Sequence, residues 1–186
     1  MLEAPGPARL IEQFANTVNL EYDTDAIATP AQLSAWLVEH ALLEPAQPLD
    51  ARVHEWFLRL RAGIREELGV HVGVDPTPAV LEAAAAVTRQ VPILAYVAGP
   101  VLAPATWLEP PEAALAQLTI AWVQLRTTGE AARLKRCAEH ACELVFWDES
   151  KNRSRRWCSM RVCGSRVKSR RYAARIAAST SDTPES

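Results

Sequence analysis

Cysteine is absent from the first 136 residues of this 186-residue chain; all four cysteines lie between positions 137 and 163. A disulfide framework spread through the fold is therefore excluded, and a chain of this length buries enough core to do without one. Glycine is scarce, with 7 residues, and none falls in a GxGxxG or GxxxxGK arrangement, so no phosphate-cradling loop is present. His40, His54 and His71 are scattered, without ligand spacing among themselves. No Ser/His/Asp arrangement and no paired catalytic carboxylates are found, so an enzyme is not expected. Long hydrophobic runs are missing too. The most apolar stretch, Val91 to Thr106, is interrupted by Pro92, Gly99, Pro100 and Pro104, which excludes a spanning helix there. The opening MLEAPGPARL has no apolar run behind a positive charge, so no export signal is read and the cytoplasm is the expected compartment. Thiols stay reduced there, which makes metal binding the expected role of the cysteines.

What is present is the composition of a globular protein, 49% hydrophobic and 23% charged. The net charge of −2 conceals an asymmetry. From Arg133 to Arg175 there are 13 Lys and Arg against 4 Asp and Glu, whereas from Met1 to Ala132 there are 7 against 16. An acidic body carries a basic end, and such an end suggests a polyanionic partner.

The first three quarters read mostly as helix. Leu10, Ile11, Phe14 and Val18 recur near a 3.6 period over Ala8–Leu20. Thr29-Pro30 is a cap followed by proline, and opens a helix with the stripe Leu33, Trp36, Leu37, Ala41. Asp50 caps the next, with the stripe Val53, Trp56, Phe57, Leu60, Ile64, Leu68. Ala79–Gln90 is an alanine-rich helix after the stop at Asp75–Pro78. Val91–Val97 and Val101–Trp107 read as a two-stranded hairpin, with Pro92 confining the first strand to an edge or its start. Pro110-Pro111 starts a helix bearing Leu115, Leu118, Trp122 and Leu125; Gly129 breaks it and Glu130–Arg136 is expected to resume it. Trp36, Trp56, Trp107 and Trp122 are expected in the core, with an aromatic-lined ligand pocket as the minority alternative.

The basic end has its own chemistry. Cys137-x4-Cys142 and Cys158-x4-Cys163 are separated by fifteen residues, the arrangement of a four-thiolate zinc site. Leu144–Trp147 reads as a strand and Val167–Ile176 as a helix. A knuckle, a hairpin and a helix near the last ligands make a treble-clef-like finger, which the metal must help to fold. Four cysteines complete a tetrahedron, so the zinc is structural, one per chain, and His140 is left as a surface or outer residue. The expected fold is mainly α with a small β-hairpin. Residues 1–132 form an acidic helical domain, 133–176 the basic finger and 177–186 a disordered tail.

The run from Cys137 to Arg166, CAEHACELVFWDESKNRSRRWCSMRVCGSR, resembles the CGNR zinc-finger family over about forty residues. Phe14-Ala-Asn16-Thr17-Val18 and the Thr29-Pro-x-x-Leu33-x-x-Trp36-Leu37 helix start are similar to ABATE, the helical domain that usually precedes that finger. The family is described as stress-induced transcription regulators, so the resemblance implies DNA binding by the finger. Ser165 stands where the family's name has asparagine.

Candidate DNA contacts are Lys151, Arg153, Arg155, Arg156, Arg161, Arg166, Lys168, Arg170 and Arg171. Arginine's planar fork suits phosphates and guanine edges. Arg166 and Arg170 share one side of the C-terminal helix, and Lys168, Arg171 and Arg175 another; sequence does not say which side meets a partner. Tyr172 and Ile176 are expected to pack on the finger, and Asp148 to orient an arginine. The expected function is a zinc-dependent DNA-binding transcriptional regulator. Its helical domain would sense a small-molecule effector or form a homodimer, since one small finger spans few base pairs. The alternatives are an RNA-binding module, and a protein-interaction adaptor whose basic surface is covered by the acidic domain.

Overall fold

Helices begin where the chain supplies caps. Thr29 and Gln32 form a capping box at the start of one, and the Asp50 carboxylate accepts the Val53 N–H at 2.7 Å at the start of another. Proline stands in the first turn of four more or less regular helices, where its missing N–H is no loss. The computed structural model describes residues 3–45, 47–99 and 101–181, with side chains as far as 176. Its helices are α1 (Gly6–Ala15), α2 (Pro30–Glu39), α3 (Ala51–Val70), α4 (Pro78–Thr88), α5 (Pro110–Thr127) and α6 (Ser165–Ser181). Three antiparallel pairs join them: β1 (Val18–Asn19) with β2 (Thr24–Asp25), β3 (Ile93–Ala95) with β4 (Leu102–Pro104), and β5 (Leu134–Arg136) with β6 (Val145–Trp147).

Ile11, Phe14, Leu33, Leu37, Phe57, Ile64, Leu115 and Leu118 form the core, with the Phe14 ring 5.6 Å from Trp36 and 6.3 Å from Phe57. The same core takes in Leu134, Val145 and Trp147 from the last hairpin. The two arms of the mainly helical fold are thus packed through one set of side chains. Helices α3 and α4 approach closely at Gly63, where an added Cβ would lie 2.3 Å from the Ala84 Cβ. Helix propensity alone favours alanine over glycine. Gly63→Ala is nevertheless expected to destabilise by about 1–3 kcal/mol through overpacking. A raised Tm in a thermal melt would contradict that spacing.

Several expectations are corrected. The first helix ends at Ala15, not near Leu20, because Asn16 turns its amide to another strand and Val18 pairs with Asp25. Residues 134–136 are strand rather than helix. Gly129, at φ 74°, stops α5, and after one 3-10 turn the chain enters β5. Trp107 stands in solvent, 67% exposed, and Tyr172 is 61% exposed rather than packed on the finger. Helix α6 runs past Ile176 to Ser181, so backbone expected in the tail is helical; residues 182–186 lie outside the described ones.

Candidate metal centre and basic face

The four cysteines come from two local devices. Cys137 follows β5 and its N–H donates to the Leu144 carbonyl at 2.8 Å, so the ladder extends to the first ligand. The chain then reverses tightly: Cys142 and Glu143 N–H both donate to the Glu139 carbonyl, and Glu143 takes the left-handed conformation at φ 48°. Cys158 ends the segment after β6. Cys163 lies on a wide helical turn, Met160–Gly164, which leads into α6 and is capped by the Ser159 hydroxyl accepting from Val162 N–H at 3.3 Å.

The ligand Sγ atoms all lie within 4.8 Å of one another, and Cys158 Sγ is 3.6 Å from both Cys142 Sγ and Cys163 Sγ. Four thiolates at tetrahedral Zn–S distances would stand about 3.8 Å apart. Donor type, number and spacing therefore fit one zinc ion in a closed, structural site. Burial pushes the Cys163 thiol up to about 12 and raises Cys158 as well, with the Cys137 charge adding to the latter. Zinc must displace protons held this firmly, so it binds more tightly as pH rises. All four ligands bind as thiolates, and with up to four protons displaced the affinity is expected to weaken by up to about ten-thousandfold from pH 7.5 to 6.5. Competition with a chromophoric chelator across that range measures it.

Residues that sequence reading left unassigned seat this hairpin on the helices. Asn16 mimics a strand edge: its Nδ2 donates to the Val145 carbonyl and its Oδ1 accepts from Val145 N–H, both at 2.8 Å. Arg65 donates to the Ala15 carbonyl at 2.8 Å and to the Glu143 carbonyl at 3.2 Å. Arg136 reaches Glu143 at 3.0 Å and Glu66 at 3.6 Å, in space left by Gly69, where a Cβ would lie 2.6 Å from its guanidinium. His71 Nδ1 is 2.8 Å from the Leu134 carbonyl.

A family model described as putative stress-induced transcription regulator, ABATE, matches residues 8–145, and one described as CGNR zinc finger matches residues 133–176. The chain belongs to the ABATE family and ends in a CGNR zinc finger. The two matches overlap over residues 133–145, which hold β5, the first cysteine pair and the start of β6. No curated protein matches the chain. Neither description names an enzyme, the metal is a single structural zinc, and among the described residues no helix is long and apolar enough to cross a membrane.

Inside the CGNR finger, Lys135 organises the loop between β6 and the second cysteine pair. Its buried ammonium donates to Asp148 Oδ2 at 2.7 Å, to the Arg155 carbonyl at 3.0 Å and to the Arg153 carbonyl. Asp148, fully buried, also accepts from the Ser150 and Arg155 N–H groups at 2.9 Å. The charged partner of Asp148 is therefore Lys135 and not an arginine. Ser150 caps the same loop, accepting from Ser154 N–H at 3.2 Å. His140 is exposed and is not a ligand. The Ser165 hydroxyl, in place of the family asparagine, reaches back to the Met160 carbonyl at 3.4 Å.

The nine basic candidates divide by their surroundings. Arg155 is half-buried, donates to the Cys158 carbonyl at 2.6 Å and lies over the Phe146 ring. Arg170 pairs with Glu139 at 2.6 Å, and Arg166 pairs with Glu21 at 2.9 Å. Glu139 is the carboxylate inside the metal knuckle, and Arg170's hydrogen bond lowers its pKa. Lys151, Arg153, Arg156, Arg161, Lys168 and Arg171 are exposed and pair with no carboxylate among the described residues. Away from the finger, α3, α4 and α5 border a cleft of about 610 Å³, lined by Leu60, Ile64, Glu67, Leu81, Trp122 and Arg126 among others.

Proposed function

We propose that this protein is a zinc-dependent, DNA-binding transcriptional regulator whose finger holds duplex DNA through the outer side of α6. The division of α6's cations carries the reading. Arg166 and Arg170 tie one side of the helix to Glu21 and Glu139. Lys168, Arg171 and Arg175 fall on the opposite side by helical period, without an acidic partner. Lys151, Arg153, Arg156 and Arg161 extend the exposed charge around the metal. With zinc and four thiolates contributing about −2, the finger keeps a surplus of about +7. That field concentrates on a small surface, which favours a polyanion over a neutral partner. The cleft between α3, α4 and α5 falls in the size range of small-molecule sites, and we assign it to the effector whose binding would regulate the finger under stress, in the cytoplasm.

Fluorescence anisotropy with a random-sequence duplex tests the reading. Affinity is expected to fall steeply with salt. Lys168→Ala/Arg171→Ala/Arg175→Ala should reduce the slope of log affinity against log salt by about 3. A flat salt response would favour the adaptor reading. Stronger competition by structured RNA than by duplex DNA would favour the RNA-binding one.

A further inference from the structure

From Val91 to Leu108 the chain carries no acidic, basic or histidine side chain. This segment nevertheless faces water: Val97, Val101 and Trp107 are 109%, 74% and 67% exposed. Scattered apolar residues on a surface need no explanation, but an open strand edge flanked by them does. Hydrogen-bond parity shows which edge is open. Tyr96 N–H donates to the Val101 carbonyl and Ala105 N–H to the Pro92 carbonyl, both at 3.1 Å. Pro92, Leu94 and Tyr96 therefore turn their backbone groups toward β4, whereas Ile93, Ala95 and Val97 turn theirs outward. Among the described residues, no hydrogen bond takes up the outward groups of Ala95 or Val97. The other edge of the hairpin is closed, since Pro104 has no N–H and β4 lies against α5.

We propose that β3 is a dimerisation edge, on which the β3 of a second copy of this chain pairs antiparallel about a twofold axis at Ala95. Ile93 then faces Val97 of the second copy, and the two hairpins form one four-stranded sheet. Three considerations select a second copy as the occupant. A twofold interface sets each surface against its own image, which a charged patch resists. The body is acidic, with 16 Asp and Glu against 7 Lys and Arg over residues 1–132, and this segment is its uncharged stretch. Tyr96, Val97 and Val101, exposed beside the open edge, supply apolar area that pairing would cover. The acidic body also disfavours an anionic membrane as the occupant. The proposal deepens the regulator reading by supplying the second finger, yet its test involves no DNA, so either can fail without the other.

The test uses full-length, zinc-loaded protein in sedimentation velocity over the micromolar range. Wild type is expected to be a dimer. Ala95→Lys and Ala95→Glu each place like charges opposite one another at the axis, and each should be monomeric with one zinc per chain and an unchanged helical spectrum. An equimolar mixture of the two should regain the dimer, because lysine now faces glutamate. A monomeric wild type would overturn the proposal. So would a dimer that survives both single variants, or two monomeric variants that fail to rescue one another.

Discussion

Cys142→Ser is expected to lower zinc content from one ion per chain to none, and to abolish duplex binding. The apparent free energy of zinc binding in isolated fingers is about 10–16 kcal/mol at neutral pH, which a finger of this size cannot replace by burial. The loss should also reach the helices. Leu134, Val145 and Trp147 are part of the helical core, and Asn16, Arg65 and His71 bond to the hairpin's backbone. Freeing the knuckle between Cys137 and Cys142 leaves those side chains without fixed partners, so the thermal midpoint of the whole chain should fall along with the finger's signal. Elemental analysis and a melt followed at helical wavelengths check both parts. A body that melts unchanged after metal loss would show that β5 and β6 hold their place without the ion.

Lys135→Met is the second large effect. It removes the ammonium that faces a fully buried carboxylate, 2.7 Å away, and should destabilise by about 3–5 kcal/mol. For a chain of this size that is about 6–20 °C in Tm. The pH dependence identifies the cause. Burial by itself raises the pKa of Asp148, but Lys135, the Ser150 hydroxyl and N–H, and the Arg155 N–H together hold it far below the usual carboxylate range. A carboxyl with a depressed folded pKa stabilises the fold fully above its unfolded pKa, about 3.9, and loses that contribution as pH falls through the folded value. Without Lys135 the folded pKa rises, so the variant's Asp148 takes up a proton at higher pH and sheds its unpaired charge. The stability gap between wild type and variant should therefore narrow as pH is lowered from 7 toward 4. Chemical denaturation across that range measures it, and a gap independent of pH would assign the loss to packing instead. Lys135→Met/Asp148→Leu should recover part of the loss, because no buried charge then remains.

Lys135 also illustrates what sequence reading does not reach. It was one cation among many in a basic stretch; only the pairing of β5 with β6 brings it under Asp148 and the carbonyls of Arg153 and Arg155. Asn16 likewise stands in the sequence only as one position of the Phe14–Val18 motif. Its partner Val145 is 129 positions away, a separation at which local pattern carries no information. Trp107 failed in the other direction: apolar character placed it inside, and the hairpin's attitude left it in water. The cap at Thr29, the cap at Asp50 and the β3–β4 hairpin were legible because each is set by residues within a few positions of one another.

By itself, the sequence determined the metal chemistry, since the spacing of four thiols around one fifteen-residue loop is a local constraint on where sulfur can point. It determined the helical character of the body and the asymmetry of charge for the same reason: period and composition act over short range. Tertiary structure alone decided that the β5–β6 hairpin belongs to the core of the helices as well as to the finger. The sequence grouped the cations of α6 into two sides, and tertiary structure alone decided that Glu21 and Glu139 hold the side of Arg166 and Arg170. Both depend on groups distant in the chain meeting in space, where buried polar atoms must find partners and charges settle against their opposites.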